Sequence, residues 1–154
     1  MPEMNHKEMQ ETKEVTQQHL CLTNDIETVP QLNDFIDGIC DEAGIDMSLA
    51  MSLNLAIEEA VVNVMEYAYP DGTKGDVNIE VTTGESFIQF VITDSGKPFD
   101  PTAKGEVDTT LSAEERPIGG LGIHLVRQIM DSVNYEYANG MNILTLRKEL
   151  ATTN

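Results

Sequence analysis

Residues Asn54 to Pro70 read NLAIEEAVVNVMEYAYP. Ala50, Leu53, Ile57, Ala60, Val64 and Ala68 recur at helical spacing through and just ahead of this stretch, so one face of a long helix belongs to a core. Glu59 and Asn63 are four residues apart and lie one turn above each other on a different face. A carboxylate and a carboxamide held side by side on a rigid helix suit a metal–phosphate site. The amide oxygen is a hard ligand for Mg²⁺, and an ionised Glu accepts a proton from a hydroxyl or a water. Taken alone, so common a spacing reads more readily as the solvated edge of an amphipathic helix.

Toward the N-terminus, residues 1–18 are polar, with Met4, Met9 and Val15 as isolated apolar positions, and read as a mobile tail preceding a domain over 19–150. His19 to Thr23 suits an edge strand. Asn24 or Asp25 then caps a helix over Ile26–Ala43, whose true start is set by Pro30 and whose core face is Leu32, Phe35, Ile36, Ile39 and Cys40. Gly44 stops it, and Asp46 or Ser48 caps the long helix.

Past Pro70-Asp71-Gly72 the period changes to two. Val77, Ile79 and Val81 alternate with polar residues, Gly84-Glu85 turns the chain, and Ile88, Phe90 and Ile92 share one face of the next strand. That strand runs into Asp94-Ser95-Gly96-Lys97-Pro98-Phe99-Asp100-Pro101. Thr102 to Ile118 has no sustained period, which in a small domain suggests a lid. Gly119-Gly120-Leu121-Gly122 opens a helix with Ile123, Val126, Ile129 and Met130 as its stripe. Val133, Tyr135 and Tyr137 then alternate, Asn139-Gly140 makes a hairpin turn, and Ile143, Leu144 and Leu146 lie on the last strand. The expected fold is α+β: a two-layer α/β sandwich whose mixed, mostly antiparallel sheet is covered on one face by helices.

The 154 residues suit one domain. A net charge of −18 disfavours binding to nucleic acid or an anionic membrane and makes a nucleotide site depend on local positive groups or a cation. Cys21 and Cys40 form no C-x-x-C pair and read as two buried, reduced thiols. No run approaches transmembrane length and no signal pattern opens the chain, so the expected location is the cytoplasm.

Three features join the Glu59/Asn63 pair. Asp94, just past a strand, is placed to accept a hydrogen bond from an exocyclic amine, and Gly96 leaves room for a flat ring, with Lys97, Pro98 and Phe99 shaping the loop's exit. Glycines at a helix N-terminus present free N–H groups to a phosphate. Lys97, Lys104 and Arg116, in or beside the lid, are either phosphate contacts or solvated loop charges. His6, His19 and His124 read as solvated or packing residues.

In this order and spacing the motifs resemble the GHKL ATP-binding fold of gyrase, MutL and histidine kinases, over roughly Leu20 to Lys148. EEAVVNVMEYAYP, DSGKPFDP and GGLGIHLVRQIMDSVNYEYANGMNILTLRK look most like the three boxes of the bacterial anti-sigma-factor serine kinases. That resemblance implies Glu59 as catalytic base, Asn63 as Mg²⁺ ligand, Asp94 as adenine reader, Gly96 in the base pocket, and Gly120 and Gly122 against the phosphates. It implies ATP and Mg²⁺ as cofactors, a sigma factor and a small anti-anti-sigma antagonist as partners, and a homodimer. A Thr that often supports the Asp in the wider superfamily is absent. Gly140-Met141-Asn142 stands in its place, with Thr145 beyond, and the supporting role is open.

The resulting expectation is a protein-serine kinase that holds a sigma factor. The alternative is a nucleotide-dependent adaptor without catalysis. A split histidine kinase is disfavoured because no His is followed by an acidic residue: His6, His19 and His124 precede Lys7, Leu20 and Leu125. Plain ATP hydrolysis is disfavoured for want of a second domain to couple it to work.

Overall fold

The computed structural model describes residues 15–102 and 120–151. In chain order they form β1 (Thr16–Thr23), a 3-10 turn (Ile26–Thr28), α1 (Val29–Glu42), α2 (Met47–Tyr67), β2 (Asp76–Thr83), β3 (Phe87–Asp94), α3 (Gly120–Ile129), β4 (Ser132–Ala138) and β5 (Met141–Glu149). The element order is the one expected from the sequence. The strands make one sheet in the order β1-β2-β3-β5-β4, antiparallel at each of these junctions.

Local chemistry sets the boundaries. Asp25 caps the 3-10 turn by accepting from Glu27 N–H at 2.9 Å, and Pro30 sits in the first turn of α1, where its missing N–H costs nothing. Gly44 ends α1 at φ +71°. Its N–H donates to Asp41 O and the Ile45 N–H to Cys40 O, so orphan carbonyls of the last turn are satisfied. Asp46 then caps α2, accepting from Leu49 N–H at 2.9 Å. Asn139 and Gly140 both take positive φ, the geometry of a two-residue hairpin, and pin Ala138 opposite Met141.

The first strand starts at Thr16, earlier than the expected His19, because Thr16, Gln17 and Gln18 pair with Thr83, Thr82 and Val81. An edge strand needs backbone partners rather than apolar side chains, so hydropathy understates its length. Residues 1–14, the rest of the expected tail, lie outside the described residues.

One sheet face is buried. Val77, Ile79 and Val81 on β2, Ile88, Phe90 and Ile92 on β3, and Leu144 and Leu146 on β5 pack with Leu32, Ile36 and Ile39 of α1, Leu53, Ile57, Val61 and Val64 of α2, and Ile123 and Val126 of α3. Asp94 and Asn142 occupy the next inward positions of the same alternation, so two polar side chains enter this face at its end.

Two expectations change. Cys21 is exposed, since it lies opposite the inward Leu22 on the edge strand; Cys40 is buried, and burial, with Asp37 nearby, pushes its thiol up to about 11. By length and composition α2 is also able to cross a bilayer, contrary to the reading that no run is long enough. In this fold its apolar side faces the sheet and the neighbouring helices.

Candidate functional site

Asp94 ends β3 opposite Asn142 of β5 and is 1% exposed. Its Oδ1 accepts from the Gly96 N–H at 2.8 Å and from Asn142 Nδ2 at 2.9 Å. Its Oδ2 is buried and has no hydrogen-bond partner among the described residues. Burial pushes the carboxyl above the ordinary carboxylate range, and the two hydrogen bonds pull back against that rise. A buried acceptor without a donor is costly, and a ligand amine is a group of the kind that would satisfy it.

Asn142 fills the supporting role that the sequence left open. Its Nδ2 donates to Asp94 Oδ1 and, at 2.8 Å, to Lys97 O; its Oδ1 accepts from the Phe99 N–H at 2.9 Å and from the Tyr135 hydroxyl. One carboxamide thus uses its full capacity to hold the Asp and both ends of the Lys97–Phe99 segment. A hydroxyl cannot make four such bonds. The sequence signal was an Asn at an inward position of an alternating strand, which needs partners, but only the register Asp94↔Asn142 identifies them. Asn142→Ala is expected to cost about 3 kcal/mol in chemical denaturation, by removing all four bonds of a buried carboxamide, with Asn142→Thr intermediate.

The loop after Asp94 is fastened to the end of α2. The Lys97 N–H donates to Ala68 O at 2.8 Å, and Phe99 stacks on Tyr67 with ring centroids 5.3 Å apart. The Tyr69 hydroxyl donates to Asp76 O at 2.7 Å and accepts from the Ser95 N–H at 3.1 Å. Tyr67 and Tyr69 carried no assigned role in the sequence. Gly96 was expected to make room for a flat ring; the space its Cβ would take is already filled by the Ala68 carbonyl oxygen, 2.3 Å away. Gly96→Ala is therefore expected to lower stability by about 2–3 kcal/mol, read as a shift in denaturation midpoint, because backbone and not a flexible side chain must move.

Asn63 is 3% exposed and Glu59 is half-buried, so neither lies on the fully solvated side of α2. Asn63 is about 7.5 Å along the axis from Ala68, where the Asp94 loop docks. α3 packs against α2 and begins at Gly120, with Leu121 and Gly122 in its first turn. Arg127 of α3 donates to Thr102 O at 3.0 Å, joining α3 to the end of the Asp94 loop. Helix α3 thus packs on α2 and meets the end of the Asp94 loop through Arg127 in its last turn, with the glycine-led start at its other end. Lys97 and Pro98 are exposed and Phe99 half-buried. Lys104, Arg116, Gly119 and the expected lid beyond Thr102 lie outside the described residues.

The donors fit a nucleotide with a metal ion. Among the described residues Asp94 Oδ2 lacks a donor, and the exocyclic amine of a purine base is a group of that kind. Among the described residues no cluster of three or more His, Cys, Asp or Glu forms a closed metal cage. Mg²⁺ does not need one, since one or two side-chain oxygens with substrate phosphates and water complete its shell.

Known proteins are similar to this chain over most of its length. The model of the histidine kinase-like ATPase domain matches residues 22–148. The serine-protein kinase RsbW of Listeria monocytogenes serovar 1/2a is 30% identical over 113 residues, covering 71% of this chain and 72% of its own. RsbW of Halalkalibacterium halodurans is 28% identical over 134 residues, covering 80% and 81%. Among solved structures, the RsbU and RsbW domains of Rv1364c from Mycobacterium tuberculosis superpose with a TM-score of 0.62 at 15% identity, over 90% of this chain and 35% of that longer one. The histidine kinase domain of the Erythrobacter litoralis EL346 blue-light activated histidine kinase gives 0.50 at 14% identity, over 81% and 60%.

Proposed function

This chain belongs to the histidine kinase-like ATPase domain family, and from that membership we propose that it binds ATP and transfers the γ-phosphate to a serine of a partner protein. The observation that carries the reading is the buried Oδ2 of Asp94, without a partner among the described residues, on a carboxyl that Asn142 braces at the end of the sheet. This oxygen receives the adenine amine, and Gly96, packed on Ala68, holds the loop beside the base. The first turn of α3 offers backbone N–H groups to phosphate oxygens. Asn63 would hold Mg²⁺ through its side-chain oxygen, and the bound ion neutralises charge on the phosphates. Glu59, one turn before Asn63, takes the proton of the incoming serine hydroxyl. Lys97 and Arg116 complement phosphate charge in a chain whose overall field is negative.

The RsbW relatives are named as serine-protein kinases. By that kinship, and by the motifs, the acceptor is a small anti-anti-sigma antagonist. The second partner is a sigma factor, held in the cytoplasm by a homodimer of this chain. Incubation of the full chain with γ-labelled ATP, Mg²⁺ and a co-encoded antagonist is expected to label a serine of the antagonist. ATP binding without label transfer to any such partner would leave a nucleotide-dependent adaptor and remove the kinase. A thermal-shift series with ATP and GTP, each with and without Mg²⁺, reads the base and metal requirements separately.

A further inference from the structure

α1 and α2 together contain no Lys or Arg. Between Lys13 and Lys74 the chain carries no basic side chain of either type, while Asp34, Asp37, Asp41, Glu42, Glu58 and Glu66 all fall on these two helices. Two of these carboxylates line the seam between the helices. Asn54 Nδ2 donates to Asp37 Oδ1 at 2.8 Å, and Asn33 Nδ2 donates to Glu58 Oε1 at 3.2 Å. Amides hold them in place, and among the described residues neither is ion-paired. The ion pairs described elsewhere, Arg147–Glu149 and Lys148–Asp131, involve neither helix.

Beside this seam runs an exposed apolar stripe. Met47, Met51 and Leu55 are spaced one turn apart on α2 and are 79%, 68% and 47% exposed. Leu55 follows Asn54 directly and precedes Glu58 by three positions, so the stripe and the acidic seam adjoin. Two of the three residues are Met, whose flexible thioether adapts to varied apolar partners. Apolar side chains this exposed, bordered by charge of one sign, mark an interaction surface. Self-association through this face about a two-fold axis would set acidic seam against acidic seam, which like charges oppose. The stripe occupies the first half of α2, and Met51 is about 25 Å along the axis from Ala68, where the Asp94 loop docks. Nothing here depends on the nucleotide reading.

We propose that the outer face of α1 and the first half of α2 docks an amphipathic helix of a partner protein, apolar along one side and edged with Lys and Arg. The apolar side lies on Met47, Met51 and Leu55, and the basic edge meets Asp37, Asp41 and Glu58.

The test uses the full chain and a synthetic helix with Leu at positions i, i+3, i+4 and i+7 and Lys elsewhere, against a scrambled peptide of equal composition. At physiological salt the patterned peptide is expected to bind about tenfold or more tighter than the scrambled one. It should also protect amides over residues 47–58 from hydrogen exchange. The double substitution Met51→Gln, Leu55→Gln, which leaves the charge unchanged, is expected to abolish that preference while Asp37→Asn with Glu58→Gln weakens both peptides. Equal affinity of the two peptides, protection elsewhere on the chain, or an undiminished preference in the Met51/Leu55 variant overturns the proposal. So does a dimer that this variant dissociates, which would assign the face to a second copy. The exchange map on the unsubstituted chain needs no variant to fold.

Discussion

Asp94→Asn is expected to raise the melting temperature of the free protein and to abolish its response to ATP. The amide oxygen can take over the bonds from the Gly96 N–H and Asn142 Nδ2, so the loop stays anchored. What disappears is a carboxylate that is 1% exposed and has one oxygen without a partner among the described residues. Burial holds this carboxyl above its ordinary range. From that range up to the raised value, the folded state keeps a proton that the unfolded chain has released. The contribution of Asp94 to stability is therefore most favourable at acid pH and is lost as pH rises through the folded value. The stability gained by the substitution should accordingly be larger at about pH 7 than at about pH 4, the reference range for an unperturbed carboxyl. Binding moves the opposite way. An NH₂ group in place of Oδ2 faces the adenine amine donor to donor, and about hundredfold weaker ATP binding follows. Differential scanning fluorimetry with and without ATP reads both effects. A variant that is less stable than the parent, or that keeps the parent's ATP shift, would show that Asp94 is a structural anchor and not the base reader.

Glu59→Gln is expected to separate chemistry from binding. The substitution keeps the size of a half-buried side chain and removes its ability to take a proton. General-base assistance is typically worth about 10²–10⁴ in rate, so kcat for phosphate transfer should fall by that factor with the KM for ATP nearly unchanged. Asn63→Ala gives the complementary pattern, because the side chain assigned to the metal is then missing and the Mg²⁺ dependence of ATP binding weakens. Single-turnover transfer of labelled phosphate, measured beside equilibrium ATP binding, distinguishes the two roles. Transfer by the Glu59 variant at the parental rate would move the base elsewhere, and equal loss of binding and turnover would make Glu59 a packing residue.

The comparison of sequence with structure turns on which signals are local. Caps and turns depend on neighbours only, so Asp46 before α2, Gly44 after α1 and the Asn139-Gly140 hairpin were legible from residue type. Period-two alternation likewise marked the inward faces of β2 and β3, and helical spacing marked the core side of α2. The order of elements, the α+β class and the candidate residues Glu59, Asn63, Asp94 and Gly96 all follow from such patterns. The edge strand β1 was read short because its pairing with β2 is carried by backbone groups, which leave no trace in hydropathy. Cys21 was misplaced for a related reason: on a short edge strand one residue of register decides whether a side chain is inward or exposed.

By itself the sequence determined the kind of domain and the chemistry available to it, because propensity, capping and periodicity act within a few residues. Only the tertiary structure decided what surrounds each group. Strand register set Asn142 opposite Asp94, the close approach of α2 made Gly96 a steric requirement, and burial left Asp94 Oδ2 waiting for a donor. Those contacts join residues 28 to 48 positions apart, and no local pattern specifies which distant side chain completes a hydrogen bond.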